Sequence, residues 1–248
     1  MRVLLLGGTT EASALAQLMA QNAIDAVFSY AGRTDNPIDQ PLPTRTGGFG
    51  GVQGLADYIA AENITHVVDA THPFAAQISN NAVAACQMTD TPLIALVRAP
   101  WVAQPGDTWL DMADTEAAVA ALPDAPTRIF LAIGKQTLAA FAAKPQHFYL
   151  LRLVDAPDAA LPLPNAKVVL DRGPFTLSGD LALLRAHAIT HVVAKNAGGK
   201  GAAAKLQAAR ELQVPVLMIA RPNIADRPIA SNVAAVMDWL NHSADRGV

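Results

Sequence analysis

Two α/β domains, each built on a mainly parallel sheet and facing one another across a cleft, are predicted by three features of this 248-residue sequence. Short apolar runs bounded by glycine or proline alternate with stretches of helical periodicity, the pattern of strands joined by crossover helices. The runs are continuously apolar, which suits strands covered on both faces. The same grammar starts again in the second half, where Ile189–Val193 repeats the Ile-Thr-His-Val-Val of Ile64–Val68. Five-residue apolar matches also arise by convergence, so the repeat supports similar architecture rather than duplication.

In the first half the expected strands are Arg2–Leu6, Asp25–Tyr30, His66–Asp69 and Leu93–Val97. Between them Leu15, Leu18 and Met19, then Leu55, Tyr58 and Ile59, fall at helical spacing and give each helix one apolar face. Periodicity lapses over residues 99–107, which hold two prolines and a glycine, so the interdomain connection is expected to begin there. Thr108–Met112 adds an edge strand, giving expected domains of 1–112 and 113–248. Strands are then expected at Arg128–Ile133, His147–Leu153, Val168–Leu170, His191–Ala194 and Val216–Ile219. Leu181, Leu184 and Ala188 mark one helix and Ala202, Leu206 and Ala209 another. A terminal helix over Asn232–Leu240 is free, on sequence grounds, to pack on either domain.

Composition narrows the function. With 52% hydrophobic and 16% charged residues the chain is far too apolar for a disordered region. Its 18 Lys plus Arg against 21 Asp plus Glu provide no overall positive field for a nucleic acid or an anionic membrane, and neither partner is expected. The single cysteine, Cys86, can form no intramolecular disulfide or thiolate metal site; it reads as a small buried helix residue of a protein in a reducing cytoplasm. Leu4-Leu5-Leu6 stops at Gly7-Gly8, short of the roughly 15 residues of a targeting segment. No run approaches the about 18 apolar residues of a membrane span. Neither zinc-ligand spacing nor a G-x-S-x-G elbow is present, so no metal site is expected and hydrolytic chemistry loses support.

The chemical signal begins at Gly7-Gly8-Thr9-Thr10-Glu11, between the first strand and its helix. In a doubly wound, Rossmann-like sheet this turn offers backbone N–H groups and a helix dipole to phosphate, and Thr9 and Thr10 can add hydroxyl donors. Only part of the G-x-G-x-x-G fingerprint is present, and a tight turn without ligand is the bland alternative. The second strand runs Ser29-Tyr30-Ala31-Gly32-Arg33-Thr34. An NAD site places an acid there for the ribose hydroxyls, whereas Arg33, helped by Ser29 and Thr34, can fork onto a 2′-phosphate and favours NADP. A solvated loop arginine is the alternative.

Ligands of open α/β sheets lie outside the carboxyl ends of strands, which sorts the histidines. His72, in Ala70-Thr71-His72-Pro73-Phe74-Ala75 after the third strand, stands on the active edge. His66 and His191 begin strands and read as structural; His147, His187 and His242 read as solvent-facing or locally satisfied. In the second half Gly134-Lys135, Asp171-Arg172-Gly173-Pro174-Phe175 and Lys195-Asn196-Ala197-Gly198-Gly199-Lys200-Gly201 each follow a strand, and Arg98, Arg152 and Arg221 close strands. Positive charge thus gathers where a polycarboxylate could be held, unless these side chains merely decorate loops.

These motifs together resemble the precorrin-6A reductases of cobalamin biosynthesis. The resemblance rests on the glycine turn, Ser29–Arg33, Ala70–Ala75, Gly173-Pro174-Phe175, Lys195–Gly201 and Arg221-Pro222, in order through almost the whole chain. Ala197 departs from the pattern, since a serine commonly follows the Lys-Asn pair in that family. The resemblance implies an NADPH-dependent oxidoreductase that delivers hydride to a ring-contracted tetrapyrrole. The first domain would then hold the cofactor through Gly7, Gly8, Thr9, Thr10, Glu11, Ser29, Arg33, Thr34 and the Ala70-Thr71-His72-Pro73 turn. The second would hold the polycarboxylate ring through Lys135, Arg152, Arg172, Gly173, Pro174, Phe175, Lys195, Asn196, Gly198, Gly199, Lys200 and Arg221. Candidate proton donors are His72, Lys195 and Asp171, with water as competitor. Transient contact with neighbouring pathway enzymes is a further expectation. A Rossmann-like transferase with a nucleotide-linked donor, and a non-catalytic NADP- or tetrapyrrole-binding protein, remain alternatives.

Overall fold

The structure is a computed structural model that describes residues 1–32, 37–157 and 159–245. The chain divides into two compact units, one formed by Met1–Arg98 with the chain from Pro222 onward, the other by Ala99–Arg221. Both are α/β, and every strand pairing among the described residues is parallel.

The first unit contains β1 (Arg2–Leu6), α1 (Thr10–Gln21), β2 (Asp25–Tyr30), β3 (Thr44–Thr46), α2 (Val52–Ala61), β4 (His66–Asp69), α3 (Ala76–Thr89) and β5 (Leu93–Leu96). The second contains β6 (Trp109–Met112), α4 (Thr115–Ala120), β7 (Arg128–Ala132), a 3-10 segment η1 (Lys135–Ala143), β8 (Phe148–Leu153), β9 (Ala166–Leu170), α5 (Leu177–Ala186), β10 (His191–Lys195), α6 (Ala204–Glu211) and β11 (Val216–Ile219). The chain then returns to the first unit with β12 (Ile229–Ala230) and α7 (Val233–Asp245). The strand orders are β12-β5-β4-β1-β2-β3 and β6-β11-β10-β7-β8-β9. Chain direction across each sheet switches beside its first central strand, between β1 and β4 and between β7 and β10. In open sheets that is where ligands bind.

The side-chain period of two explains how β1 organises its unit. Val3 and Leu5 join Leu15 and Met19 of α1 and Val236 and Leu240 of α7, while Leu4 and Leu6 join Leu55 and Ile59 of α2 and Ala82 of α3. All four strand residues are buried. Each fully buried aliphatic contributes about 1.5 to 3 kcal/mol. The second sheet repeats the arrangement, with Phe130, Val192 and Val216 packed against Leu184 and Leu206.

One expectation needs correction, and one point the sequence left open is filled in. The boundary falls after Arg98 rather than after Met112, because β6 pairs with β11 and so belongs to the second sheet. The terminal helix belongs to the first unit: its Val236 and Leu240 fill the groove beside α1, and β12 pairs with β5. Strands β3 and β12 were also not expected, since three polar residues and two residues carry no usable apolar pattern.

Candidate active site

The turn after β1 is shaped by its glycines. A Cβ on Gly7 would stand 2.1 Å from the Phe28 ring, so only glycine lets β1 pass β2 there. Gly8 has φ of +116° with open space above it, a conformation costly to other residues. Thr9 caps α1, its Oγ1 accepting from Ala12 N–H at 3.1 Å and donating to Ala70 C=O at 2.8 Å. It therefore stitches the β1 turn to the β4 turn. Thr10 donates to Glu11 Oε2 at 3.0 Å. Both hydroxyls, expected as donors to a phosphate, have acceptors within the protein in this structure. The N–H groups of Thr10 and Glu11, at the start of α1, have no intrahelical acceptor and suit an anion, whereas that of Ala12 is taken by Thr9.

Glu11 would oppose an anion at this turn, but Arg98 Nη1 lies 2.8 Å from its Oε2. The two side chains, with Thr9, Thr71, Pro73 and Leu96, line a concavity at the β1–β4 switch point. Asp69, buried at the tip of β4, accepts from Thr71 N–H at 3.1 Å and Thr71 Oγ1 at 2.7 Å, and so sets the course of the Ala70–Pro73 turn. Arg227 Nη2, on the returning chain, stands 3.7 Å from Asp69 Oδ2. Neither residue was singled out from sequence; Arg227 lies far from β4 along the chain, so no local signal connects them. His72 is exposed, and its Nδ1 accepts from Phe74 N–H at 3.2 Å. Ser29 is buried and its Oγ accepts from Arg45 Nη1 at 2.7 Å. Arg33 and Thr34 lie outside the described residues.

In the second unit the structure separates charges that face outward from charges used internally. Arg152 pairs with Asp180; their side chains are only 7% and 2% exposed, and the guanidinium lies 3.5 Å from the Phe175 ring centroid. Arg221 donates from Nε to Asn196 C=O at 2.9 Å and from Nη2 to Ala197 C=O at 3.1 Å. The Asn196 carboxamide bonds both backbone groups of Trp101, whose indole N–H donates to Gly199 C=O at 2.8 Å. Asn196 and Arg221, both expected to contact substrate, thus spend these groups on shaping the loop, and Arg152 spends its guanidinium on Asp180.

Gly198 fits because a Cβ there would stand 2.0 Å from Ala99 C=O, and its φ is +69°. Phe175 N–H donates to Gly201 C=O at 3.1 Å, joining the Gly173-Pro174-Phe175 turn to the Lys195–Gly201 loop. Around this framework Lys135, Asp171, Arg172 and Lys200 are exposed, with Arg172 4.0 Å from Asp155. Lys195, half-buried at the end of β10, has its pKa lowered by loss of solvent.

The histidines divide as expected except for His147. It is fully buried, with Nδ1 accepting from Thr127 N–H at 3.2 Å and no hydrogen-bond partner for Nε2 among the described residues. His66, His147, His187 and His191 all have pKa values lowered chiefly by burial. Burial pushes the Cys86 thiol up to about 12, so it is inert. Among the described residues no His, Cys, Asp or Glu cluster could hold a metal, and no helix is long and apolar enough to cross a membrane.

The sequence profile described as precorrin-6x reductase CbiJ/CobK matches residues 2–241. The chain is 62% identical to a precorrin-6A reductase of Rhodobacter capsulatus over 100% of its own length and 99% of the relative's. It is 46% identical to one from a Sinorhizobium species over 97% and 93%, and 30% identical to a cobalt-precorrin-6A reductase of Priestia megaterium over 96% and 97%. A solved structure of CobK precorrin-6A reductase superposes with a TM-score of 0.94 at 62% identity, covering 98% of this chain and 96% of that one.

Proposed function

Because the chain belongs to the precorrin-6x reductase family, we propose that it reduces precorrin-6A with hydride drawn from NADPH, in the pathway to cobalamin. The observation that carries the cofactor half of this reading is the turn at the β1–β4 switch point. Gly8 leaves open space there, Thr9 fixes the start of α1, and the N–H groups of that turn suit a pyrophosphate. Arg98 neutralises Glu11, which would otherwise repel the phosphates. When bound, NADPH supplies the hydride.

In the second unit Lys135, Arg172 and Lys200 on the exposed rim suit the acetate and propionate groups of a polycarboxylate ring. Lys195 is the proposed proton donor. Desolvation brings its pKa down from the usual lysine range toward that of an effective general acid, whereas Asp171 is exposed and His72 Nδ1 is held by a backbone N–H. The metal-free ring is the proposed substrate, since the relatives named for it match at higher identity than those named for the cobalt form. The lone buried Cys86 accords with a cytoplasmic location.

The test is anaerobic oxidation of NADPH on addition of precorrin-6A. Consumption of the coenzyme in proportion to macrocycle supports reduction. Tight binding of both without consumption would indicate a carrier, and absence of NADPH binding would favour the transferase alternative.

A further inference from the structure

Arg45 carries no strand-end signature in the sequence, because the three-residue strand that bears it is polar. In the sheet it stands in register beside Ser29 at the tip of β2. Its Nη1 donates to Ser29 Oγ at 2.7 Å and its Nη2 to Gly48 C=O at 3.1 Å. Its Cζ lies 3.8 Å from the Phe49 ring centroid and 5.2 Å from that of Tyr58. Among the described residues no carboxylate comes within ion-pair distance of it.

A guanidinium has five N–H donors, of which these bonds use two. The others have no protein acceptor among the described residues and none is a buried unpartnered atom. The side chain is thus held on two sides, stacked on an aromatic ring, and left with donors and a charge that no carboxylate of the described residues pairs. In a dinucleotide fold the tip of the second strand is where the adenosine ribose is read, ordinarily by an acid that accepts from its hydroxyls. Here that place holds a cation anchored by a buried serine.

We propose that Arg45 selects the cofactor by receiving the ribose 2′-phosphate, with Ser29 as its positioning residue. The inference rests on the NADPH reading above and adds to it the group that distinguishes NADPH from NADH. A planar guanidinium already fixed in place loses little freedom on pairing with a phosphate, which favours selectivity over mere attraction.

The experiment titrates the full-length protein with NADPH, NADH and adenosine 2′,5′-bisphosphate, comparing wild type with Arg45→Gln, Arg45→Lys and Arg33→Gln. Arg45→Gln is expected to weaken NADPH and the bisphosphate by about 10- to 100-fold, the worth of a hydrogen bond to a charged group, while NADH affinity is retained and reports an intact fold. Arg45→Lys is expected to lie between, keeping the charge and losing the fork. An unchanged NADPH-to-NADH ratio in Arg45→Gln, equal loss of both dinucleotides, or loss of discrimination only in Arg33→Gln would overturn the assignment to Arg45. A wild-type protein that does not prefer NADPH would instead remove the underlying cofactor reading.

Discussion

Asn196 holds Trp101 by both of its backbone groups: Oδ1 accepts the Trp101 N–H at 2.7 Å and Nδ2 donates to the Trp101 C=O at 3.0 Å. A side chain at a strand end, facing what the motif suggests is a ligand site, is thereby committed to another stretch of its own unit. Asn196→Ala leaves two partly buried peptide groups without partners and is expected to cost about 1 to 3 kcal/mol of stability. Since Asn196 and Arg221 together shape the Lys195–Gly201 loop, the same variant should raise the KM for macrocycle while leaving the KM for NADPH near wild type. Steady-state kinetics with each substrate varied in turn checks this, and a parallel rise in both constants would contradict it.

The Arg152–Asp180 pair tests the distinction between an internal charge and a ligand-facing one. Arg152→Ala strands the Asp180 carboxylate in the interior and is expected to destabilise by about 3 to 5 kcal/mol, whereas replacing both partners by apolar residues of similar volume should recover most of the loss. Chemical denaturation of the single and double variants measures the difference. If Arg152 instead served substrate directly, Arg152→Ala would impair binding without this loss of stability.

Gly7 and Phe28 should be coupled. The missing Cβ of Gly7 is what admits the Phe28 ring, so Gly7→Ala is expected to cost about 1 to 3 kcal/mol by overpacking. In a Phe28→Leu background the same substitution should cost markedly less. Near-additive effects in the double-mutant cycle would show that the turn, not the ring, sets the demand for glycine.

The buried histidines predict an acid-sensitive fold. Burial lowers the pKa of His66, His147 and His191 below the unfolded value of about 6.5, so as pH falls through the interval between the two values the unfolded chain takes up more protons than the folded one. Their neutral forms therefore support full stability above about pH 6.5, and stability falls below it. Lys195 gives the alkaline counterpart. Its lowered pKa makes stability rise as pH increases from its folded pKa toward the unfolded lysine value, so Lys195→Met should abolish that alkaline rise while reducing turnover. Tm measured against pH for wild type and Lys195→Met tests both signs; an alkaline rise in Tm that persists in Lys195→Met would contradict the second.

Much of the fold is legible because long apolar strands bury both faces. Arg2–Leu6, Asp25–Tyr30, His66–Asp69 and Val216–Ile219 have the same limits in sequence and structure. The short polar strand at Thr44–Thr46 was invisible to the same logic, and Arg45 was missed with it. The return of the chain after Arg221 was equally silent, since tertiary packing alone assigns α7 to the groove beside α1. In the candidate site, position at a strand's carboxyl end singled out the loops. It could not tell which way a side chain spends its hydrogen bonds, so Arg152, Asn196 and Arg221 looked the same as Lys195 and Lys200. Asp69 and Arg227 belong to the same blind spot, because their effect on the Ala70–Pro73 turn passes through contacts rather than motifs.

The most direct test of the central claim is isotope transfer. NADPH carrying deuterium on the reactive carbon of its nicotinamide, incubated anaerobically with the protein and precorrin-6A, should place that deuterium on one carbon of the reduced macrocycle, with the neighbouring hydrogen drawn from solvent. A reduced product whose new carbon-bound hydrogens both come from water, or an unreduced macrocycle in the presence of folded protein and coenzyme, would contradict hydride transfer from NADPH.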